Sequence, residues 1–572
     1  MKKPIFFREA SSALGLVCLF SMIMSCKKLD MANSSVPLSR SVSSASSTFV
    51  VGKNVNDLGI FGDGVTDNSI AITNALKQNQ ALFFPAGDYI VSQAITLNSE
   101  NSLSGTPTSR FVISQAVPNY VDFAFFKADK ISGVTASNLQ FLGKQFGIRA
   151  IYAFGVLNSS KISLDHITCN ASGIMVTDIA GDGDDSKRYT LLNFPVDAND
   201  SIEVNNCNGD GAISEGLSHS SGLNIRYANH WKVTHTYLKN YEHGLLWWGG
   251  DSNYQVNGAV GNQRKCANGI VDFVHVENVA GGGIWGSMGD NINVTHSYVK
   301  LAQDVGIDFE GCVNSSATRD TSINAVNGAL AVFFYCDGVS FENNIVQAES
   351  PKFRLFTSQG SPDAGNKNVT LANNDFQTMS GVGLLWEGEA IDNLVFFNNS
   401  LLNCFVDFNG NNNGLVIVNQ NRLSFSVPIP VDSSAIIAGR SSSGPQLSID
   451  NNVISSEVLQ PQGAYAITAY QDQYNSNVSS FIRNNSINGF QSFYSVVWKS
   501  TNSGITSDVN IVSPDGAPIS PDMVSIDGGE NPGNLTVNLD GVVISPTATS
   551  SFRNGRSSRP VERTRHVSRL SR

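Results

Sequence analysis

The segment Gly306-Ile-Asp308-Phe-Glu310-Gly311 carries two carboxylates two residues apart. In a β-strand such residues project from the same face about 6.7 Å apart at the backbone, so the carboxyl groups fall roughly 5–9 Å apart. A pair at that separation suits glycosidic bond cleavage: one member protonates the leaving oxygen and the other activates water or attacks directly. Asp304 adds a third acid nearby, and crowding of like charges is expected to raise one pKa far enough to keep a proton near neutrality. The candidate catalytic set is therefore Asp308, Glu310 and Asp304.

Three other glycine-led segments stack on this one by their first glycine: Gly244-Leu-Leu-Trp247-Trp248-Gly249, Gly283-Ile-Trp285-Gly-Ser287 and Gly383-Leu-Leu385-Trp386-Glu387-Gly388. Gly211-Ala-Ile-Ser-Glu215-Gly216 is a fifth candidate. That alignment puts Trp285 in the column of Asp308, and Glu215, Trp248 and Glu387 in the column of Glu310. Trp247 and Trp386 are expected to face inward with Phe309. Flat apolar faces at Trp248 and Trp285 suit sugar stacking. His243, beside Glu242, offers a hydrogen-bonding or proton-transfer group. The substrate-binding candidates are thus Trp248, Trp285, His243, Glu215 and Glu387. Outward positions of a stacked fold ordinarily face water, so the same residues also fit a merely solvated face.

Such columns require strands stacked in register, and the chain carries a repeat of that kind. Asn pairs recur at Asn205-Asn206, Asn343-Asn344, Asn373-Asn374, Asn398-Asn399, Asn451-Asn452 and Asn484-Asn485, with Asn419-Gln-Asn421 a variant. Where adjacent turns are clear, their spacing is roughly 20 to 33 residues, within the range of stacked-strand solenoids. Val233-Thr-His-Thr-Tyr237 and Val294-Thr-His-Ser-Tyr298 form a related pair of strings. Asn tolerates the left-handed backbone of a sharp turn, and its amide is able to bond to the next Asn in the stack. Apolar and polar residues alternate before the turns, as in Val339-Ser-Phe-Glu342. With charged residues at 15% and 51 glycines, the composition favours many short strands. The expected fold is all-β: a right-handed parallel β-helix, a solenoid with a short N-terminal capping helix.

That cap is written in Gly62-Asp-Gly-Val-Thr-Asp67-Asn-Ser69, followed by Ile70 to Leu76, by Ala81-Leu-Phe-Phe-Pro85-Ala-Gly-Asp-Tyr-Ile90, and by Leu103-Ser-Gly105. Asp67 is placed to cap a helix over Ile70 to Lys77. The string resembles the GDGxTDDTxAI…PxGxY motif of the pectate-lyase-like superfamily, with Asn68 and Ser69 as mild departures. The resemblance implies the parallel β-helix, and a superfamily of hydrolases, lyases, epimerases and phage tailspikes. It covers Gly62 to Gly105 and marks a cap, so the chemistry must be argued from other residues. Asn208-Gly-Asp210-Gly211 resembles a polygalacturonase string, yet no paired Asp-Asp, Gly-His-Gly or Arg-x-Lys follows it in the expected places, and no residue is carried over from that family.

Lys2, Lys3 and Arg8 precede an apolar run from Ala13 to Met24 that ends in Ile23-Met-Ser-Cys26. The run is too short to span a membrane and fits a secretory signal. Its end resembles a bacterial lipobox, which implies lipidation at Cys26. The expected organisation is a lipoprotein signal over 1–25, a Ser-rich tether over 26–47, a β-helix over 48–551 and a basic tail over 552–572. The expected location is exported and lipid-anchored to the outer membrane or cell surface, with no membrane contact beyond the anchor. The formal net charge is −11; residues 1–25 carry +2 and 552–572 carry +6, leaving −19 on 26–551. An acidic body argues against nucleic acid and mildly against a polyanionic glycan.

The six cysteines beyond Cys26 show no metal-like spacing and read as small core fillers. Gly181-Asp182-Gly-Asp184-Asp185 lacks the full spacing of a calcium loop and reads as a solvated turn. No cofactor or metal is expected, calcium being required only for lyase chemistry. Three functions follow: a glycoside hydrolase on a poly- or oligosaccharide; a polysaccharide lyase or epimerase on uronic acids, disfavoured because the groove strands considered show no Arg or Lys; and a non-catalytic glycan-binding or structural β-helix.

Overall fold

The computed structural model describes residues 52–544, apart from 118–121, 144–149, 177–198, 212–220, 251–263, 360–364, 388–390, 409–413, 440–445, 471–477, 498–505, 514–518 and 528–534. Cys26, Glu215, the Asp182–Asp185 turn, the Ser-rich tether and the basic tail lie outside the described residues. No helix among the described residues is long and apolar enough to cross a membrane.

The chain winds as a right-handed parallel β-helix. Each coil contributes up to three strands, and nearly every pairing joins a strand to its counterpart one coil away, in parallel. The coil from Gly289 shows the pattern: strands Gly289–Thr295, Tyr298–Ala302 and Val305–Glu310 each continue a separate column. One column forms a sheet of sixteen described strands, from Ile95–Thr96 to Val524–Asp527. We call it the groove sheet. The other two columns merge into one sheet through the long strands Ser132–Leu142 and Ser160–Asn170, which run through the turn between them.

Alternation fills the interior. In Val305–Glu310, Ile307 and Phe309 point inward and join one continuous buried core that runs from Val55 to Leu539. Trp231, Trp247 and Phe309 stack in its middle, with ring centroids 6.4 and 5.5 Å apart. Cys169, Cys207, Cys266, Cys312, Cys336 and Cys404 are all buried in this core as free thiols.

The turn between the two merged columns holds a ladder. Asn344, Asn374, Asn399, Asn421, Asn452 and Asn485 are buried one above another. Each side-chain oxygen from Asn374 onward accepts the amide and backbone N–H groups of the preceding Asn at 2.9–3.0 Å. The residue before each of these Asn has positive φ, such as Asn343 at 59° and Asn373 at 58°, a conformation Asn tolerates. Earlier coils fill that left-handed position with His235, Phe273 and His296, whose rings stack at 5.2 and 4.8 Å.

At the N-terminal end the helix Ser69–Gln78 buries Ile72, Ala75 and Leu76 in the same core. Asn68, not Asp67, occupies the cap position, and its side chain makes no capping bond. Asp67 acts one step earlier, accepting the Ser69 N–H at 3.0 Å and its hydroxyl at 2.5 Å. At the far end Leu535–Leu539 turns back on Val542–Ile544, an antiparallel pair that closes the last described coil.

Candidate functional site

The groove sheet sets two outward columns side by side. One runs Asn224, Leu246, Trp285, Asp308, Ala331, Thr357, Trp386 and Asp407. The next runs Arg226, Trp248, Ser287, Glu310, Phe333 and Gln359. Trp285 therefore neighbours Asp308, and Trp248 shares the column of Glu310, as the glycine alignment of these segments requires. Trp247 faces the core in the column of Phe309.

The fourth segment departs from that alignment. Leu385, not Leu384, lies in the column of Ile307. Trp386 consequently points outward in the column of Asp308, and Glu387 falls in the column of Phe309, away from Glu310. The reason is physical: Leu384 and Leu385 are both apolar, so the local pattern does not say which faces the core. Of the segment at Gly211, only Gly211 is among the described residues. Gly211 directly follows Asn208–Asp210, a strand of the merged sheet, and the groove strand of that coil is Ser221–Arg226. Arg226 thus stands among the groove strands, which corrects the expectation that they lack cations. Its signal was present in Gly222-Leu-Asn-Ile-Arg226, where Leu223 and Ile225 alternate as Ile307 and Phe309 do.

The outward face is not open to water here. Asp308 has no exposed surface, and Leu246, Trp248, Ala331 and Phe333 are buried around it. Trp248 packs with Tyr227 and Leu246, and Trp285 bridges this cluster to one made of Val305, Ala331 and Phe333. Trp248 thus has little face left for a sugar, whereas Trp285 stays half-exposed. Neither Asp308 oxygen makes a well-formed hydrogen bond; the Phe309 N–H supplies only a weak interaction. Burial, then Glu310, then Asp304 push the Asp308 carboxyl well above the carboxylate range. Burial is the larger cause, where crowding alone was expected. Glu310 and Asp304 are only partly buried. Asp304 accepts the Asn327 amide at 2.6 Å. The strand thus carries a buried carboxyl pushed toward its protonated form beside the partly exposed Glu310, an asymmetry that acid/base chemistry needs.

His243 is fixed at the edge of the same face. Its Nδ1 accepts both the Trp285 indole N–H and the Gly282 N–H, each at 3.1 Å. Through these two bonds the ring orients Trp285. Three arginines surround the face. Arg226 lies over Trp248 at 5.5 Å and Arg354 over Trp386 at 4.7 Å. Arg264 donates to the carbonyls of Gly311 and Tyr335 at 2.9 and 3.1 Å.

Other surfaces offer less chemistry. A shallow groove of about 640 Å³ lies on the merged sheet, lined by Lys161, Glu203, His230, Lys232 and Ile270 among others. Glu203 and Lys232 are exposed there. Asp210, of the Asn208-Gly-Asp-Gly string, pairs with Lys239 at 3.2 Å on the merged sheet, not on the groove sheet. Among the described residues no group of three or more His, Cys, Asp or Glu is arranged to hold a metal ion.

Residues 52–272 match a family model described as rhamnogalacturonase A/epimerase, pectate lyase-like. This match, together with the β-helix itself, supports a place in the pectate-lyase-like superfamily. No curated protein matches the chain. Among solved structures it is similar to the N-terminal fragment of bacteriophage phi29 gene product 12, at 11% identity and a TM-score of 0.47, covering 88% of this chain and 97% of that one. It is similar to the A-module of a mannuronan C-5 epimerase from Azotobacter vinelandii, at 10% identity and 0.32, covering 86% and 99%. A family 28 exopolygalacturonase from Yersinia enterocolitica gives 14% identity and 0.39, covering 82% and 78%.

Proposed function

We propose that this protein is a carbohydrate-active β-helix that hydrolyses glycosidic bonds on its groove sheet. The observation that carries the reading is Asp308: a buried carboxyl held neutral, two residues from a partly exposed carboxylate and next to an outward tryptophan. Asp308 has no exposed surface at rest, so in this reading the side chains packed over it part as the glycan binds and Asp308 then gives its proton to the departing glycosidic oxygen. Glu310 either takes a proton from the attacking water or attacks the sugar carbon itself. Asp304 supports the neutral state of Asp308 through its charge, and Trp285, oriented by His243, supplies the stacking surface. The family model matched over residues 52–272 is one of carbohydrate-active proteins, which supports the substrate class.

A lyase or epimerase acting on uronic acids is the second reading, and Arg226, Arg264 and Arg354 favour it more than the sequence alone allowed. Such chemistry requires a cation to neutralise the uronate carboxylate. A groove that binds glycan without turnover is the third. We further propose that the chain is exported and anchored through a lipid on Cys26; Cys26→Ser would then move the protein from the membrane fraction to the soluble one.

The test is incubation of the protein with neutral and acidic polysaccharides, beside Asp308→Asn and Glu310→Gln. New reducing ends from wild type and from neither variant support the hydrolase. Chelator-sensitive release of unsaturated sugars supports the lyase. Equal activity in all three proteins removes the site from consideration, and binding without turnover selects the third reading.

A further inference from the structure

Among the described residues Arg354 has no counter-charge for its guanidinium. It precedes the groove strand Phe356–Gln359, is half-buried, and lies with its guanidinium over Trp386 at 4.7 Å. Among the described residues its side chain has no hydrogen bond or ion pair. Burial lowers its pKa and no neighbouring acid opposes the shift. Three other arginines have polar partners. Arg483 also lies over an aromatic ring, Phe481, at 4.8 Å, yet it pairs with Asp450 at 2.7 Å. Arg110 pairs with Asp88, and Arg226 donates to Asn224. A partly desolvated guanidinium with five donors and no acceptor is costly unless something fills the position.

A second group points the same way. Thr357 lies in the outward column between Asp308 and Trp386, and its hydroxyl is buried with no hydrogen-bond partner. Trp386 stands three coils from Asp308 in that column, roughly 14 Å along the axis. Asp308, Ala331 and Thr357 are buried between the half-exposed Trp285 and Trp386, so one oligosaccharide lying over the column would meet Trp285 at one end and Trp386 with the arginine at the other.

We propose that Arg354, held flat on Trp386, is a subsite for an anionic group of the bound glycan, a carboxylate or a sulfate ester. The proposal rests on the reading of the groove sheet as a glycan site. The planar fork of arginine matches both oxyanions, and the indole face beneath it fixes the plane of the guanidinium. A local cation also answers a problem set by the chain as a whole: a body carrying −19 repels a polyanion, so binding one requires a positive group within the groove.

The test measures affinity of the full chain for polygalacturonate and its methyl ester, and for dextran sulfate and dextran, in wild type, Arg354→Gln and Arg354→Lys. The expected result is that wild type prefers one charged form over its neutral counterpart by at least about tenfold, equivalent to about 1.4 kcal/mol. Which form is preferred distinguishes carboxylate from sulfate. The preference should shrink as salt is raised and fall close to one in Arg354→Gln. Arg354→Lys, which keeps the charge without the flat stack, should hold an intermediate preference and serves if the Gln variant fails to fold. No charge preference in wild type, or one that survives in a folded Arg354→Gln, overturns the subsite. In that case turnover of a neutral glycan that Asp308→Asn abolishes would leave the hydrolase reading standing. Failure to bind or cleave any of the four polymers overturns both.

Discussion

Two buried polar regions of the same solenoid follow opposite rules. In the ladder from Asn344 to Asn485, each side-chain amide donates both to a backbone carbonyl of an earlier coil and, up to Asn452, to the next Asn. On the groove sheet Asp308 is as deeply buried, and neither of its oxygens has a well-formed bond. A satisfied buried network adds to stability, whereas an unsatisfied buried carboxyl subtracts from it. The ladder is therefore explained by the fold. Asp308 is not, and an unrewarded buried polar group calls for an explanation beyond the fold.

The sharpest way to break this contrast is Asp308→Asn. Turnover of a responsive glycan should fall by about 10²–10⁴-fold, the span of a general acid, while thermal stability at neutral pH should rise. The Asp308 pKa is higher folded than unfolded. Its contribution to stability is thus full below the unfolded carboxylate pKa and is lost as pH rises toward the folded one. Asn cannot ionise, so the variant should lose that slope. Reduced activity with reduced stability would make Asp308 an ordinary structural residue.

The converse change is Asn399→Ala in mid-ladder. It removes the side-chain bonds to Leu371 and Asn421, leaves the Asn374 N–H without its acceptor and takes one of two acceptors from the Asn374 amide. The expected loss is about 2–4 kcal/mol in denaturant unfolding, with catalysis intact.

Asp320 tests the boundary between the two regions, since it occupies the position where the ladder begins. Its Oδ1 accepts the Ser297 N–H at 2.7 Å, its N–H donates to Asn344, and its Oδ2 has no partner. Burial raises its pKa to about 8. The stabilising protonated form is complete below about pH 4 and is lost as pH passes about 8. Asp320→Asn places an amide where Asn344 Oδ1 can accept it, so stability should rise by about 1 kcal/mol and the gain should be larger at pH 9 than at pH 6. Equal gains at both pH values would show that the carboxyl is not protonated in the folded state. The smallest effect is expected from Trp285→Phe, which retains an aromatic face and loses the indole bond to His243: KM should rise a few-fold with kcat little changed.

The ladder was legible because Asn pairs announce both a left-handed turn and a side chain able to bond along the axis. The columns of Trp285 with Asp308 and of Trp248 with Glu310 were legible from glycine and alternation together. Trp386 was not, since Leu384 and Leu385 give no alternation to read, and a one-residue slip exchanges the two faces of a strand. Arg226 was readable in Gly222-Leu-Asn-Ile-Arg226 once Gly211 is set aside. The burial of Asp308 had no local signature at all. Whether an outward column meets water depends on what packs over it, and alternation within a strand does not encode that.

The buried thiols have a use of their own. Attack on an added disulfide reagent requires a thiolate, and burial pushes Cys207, Cys312 and Cys404 up to about 12. Each sulfur is silent while its coil is closed. Placed from Cys169 to Cys404, the six sulfurs form a row of clocks along the axis. The order in which they are modified under mild denaturant would map where the solenoid unzips first, and in which direction the opening travels.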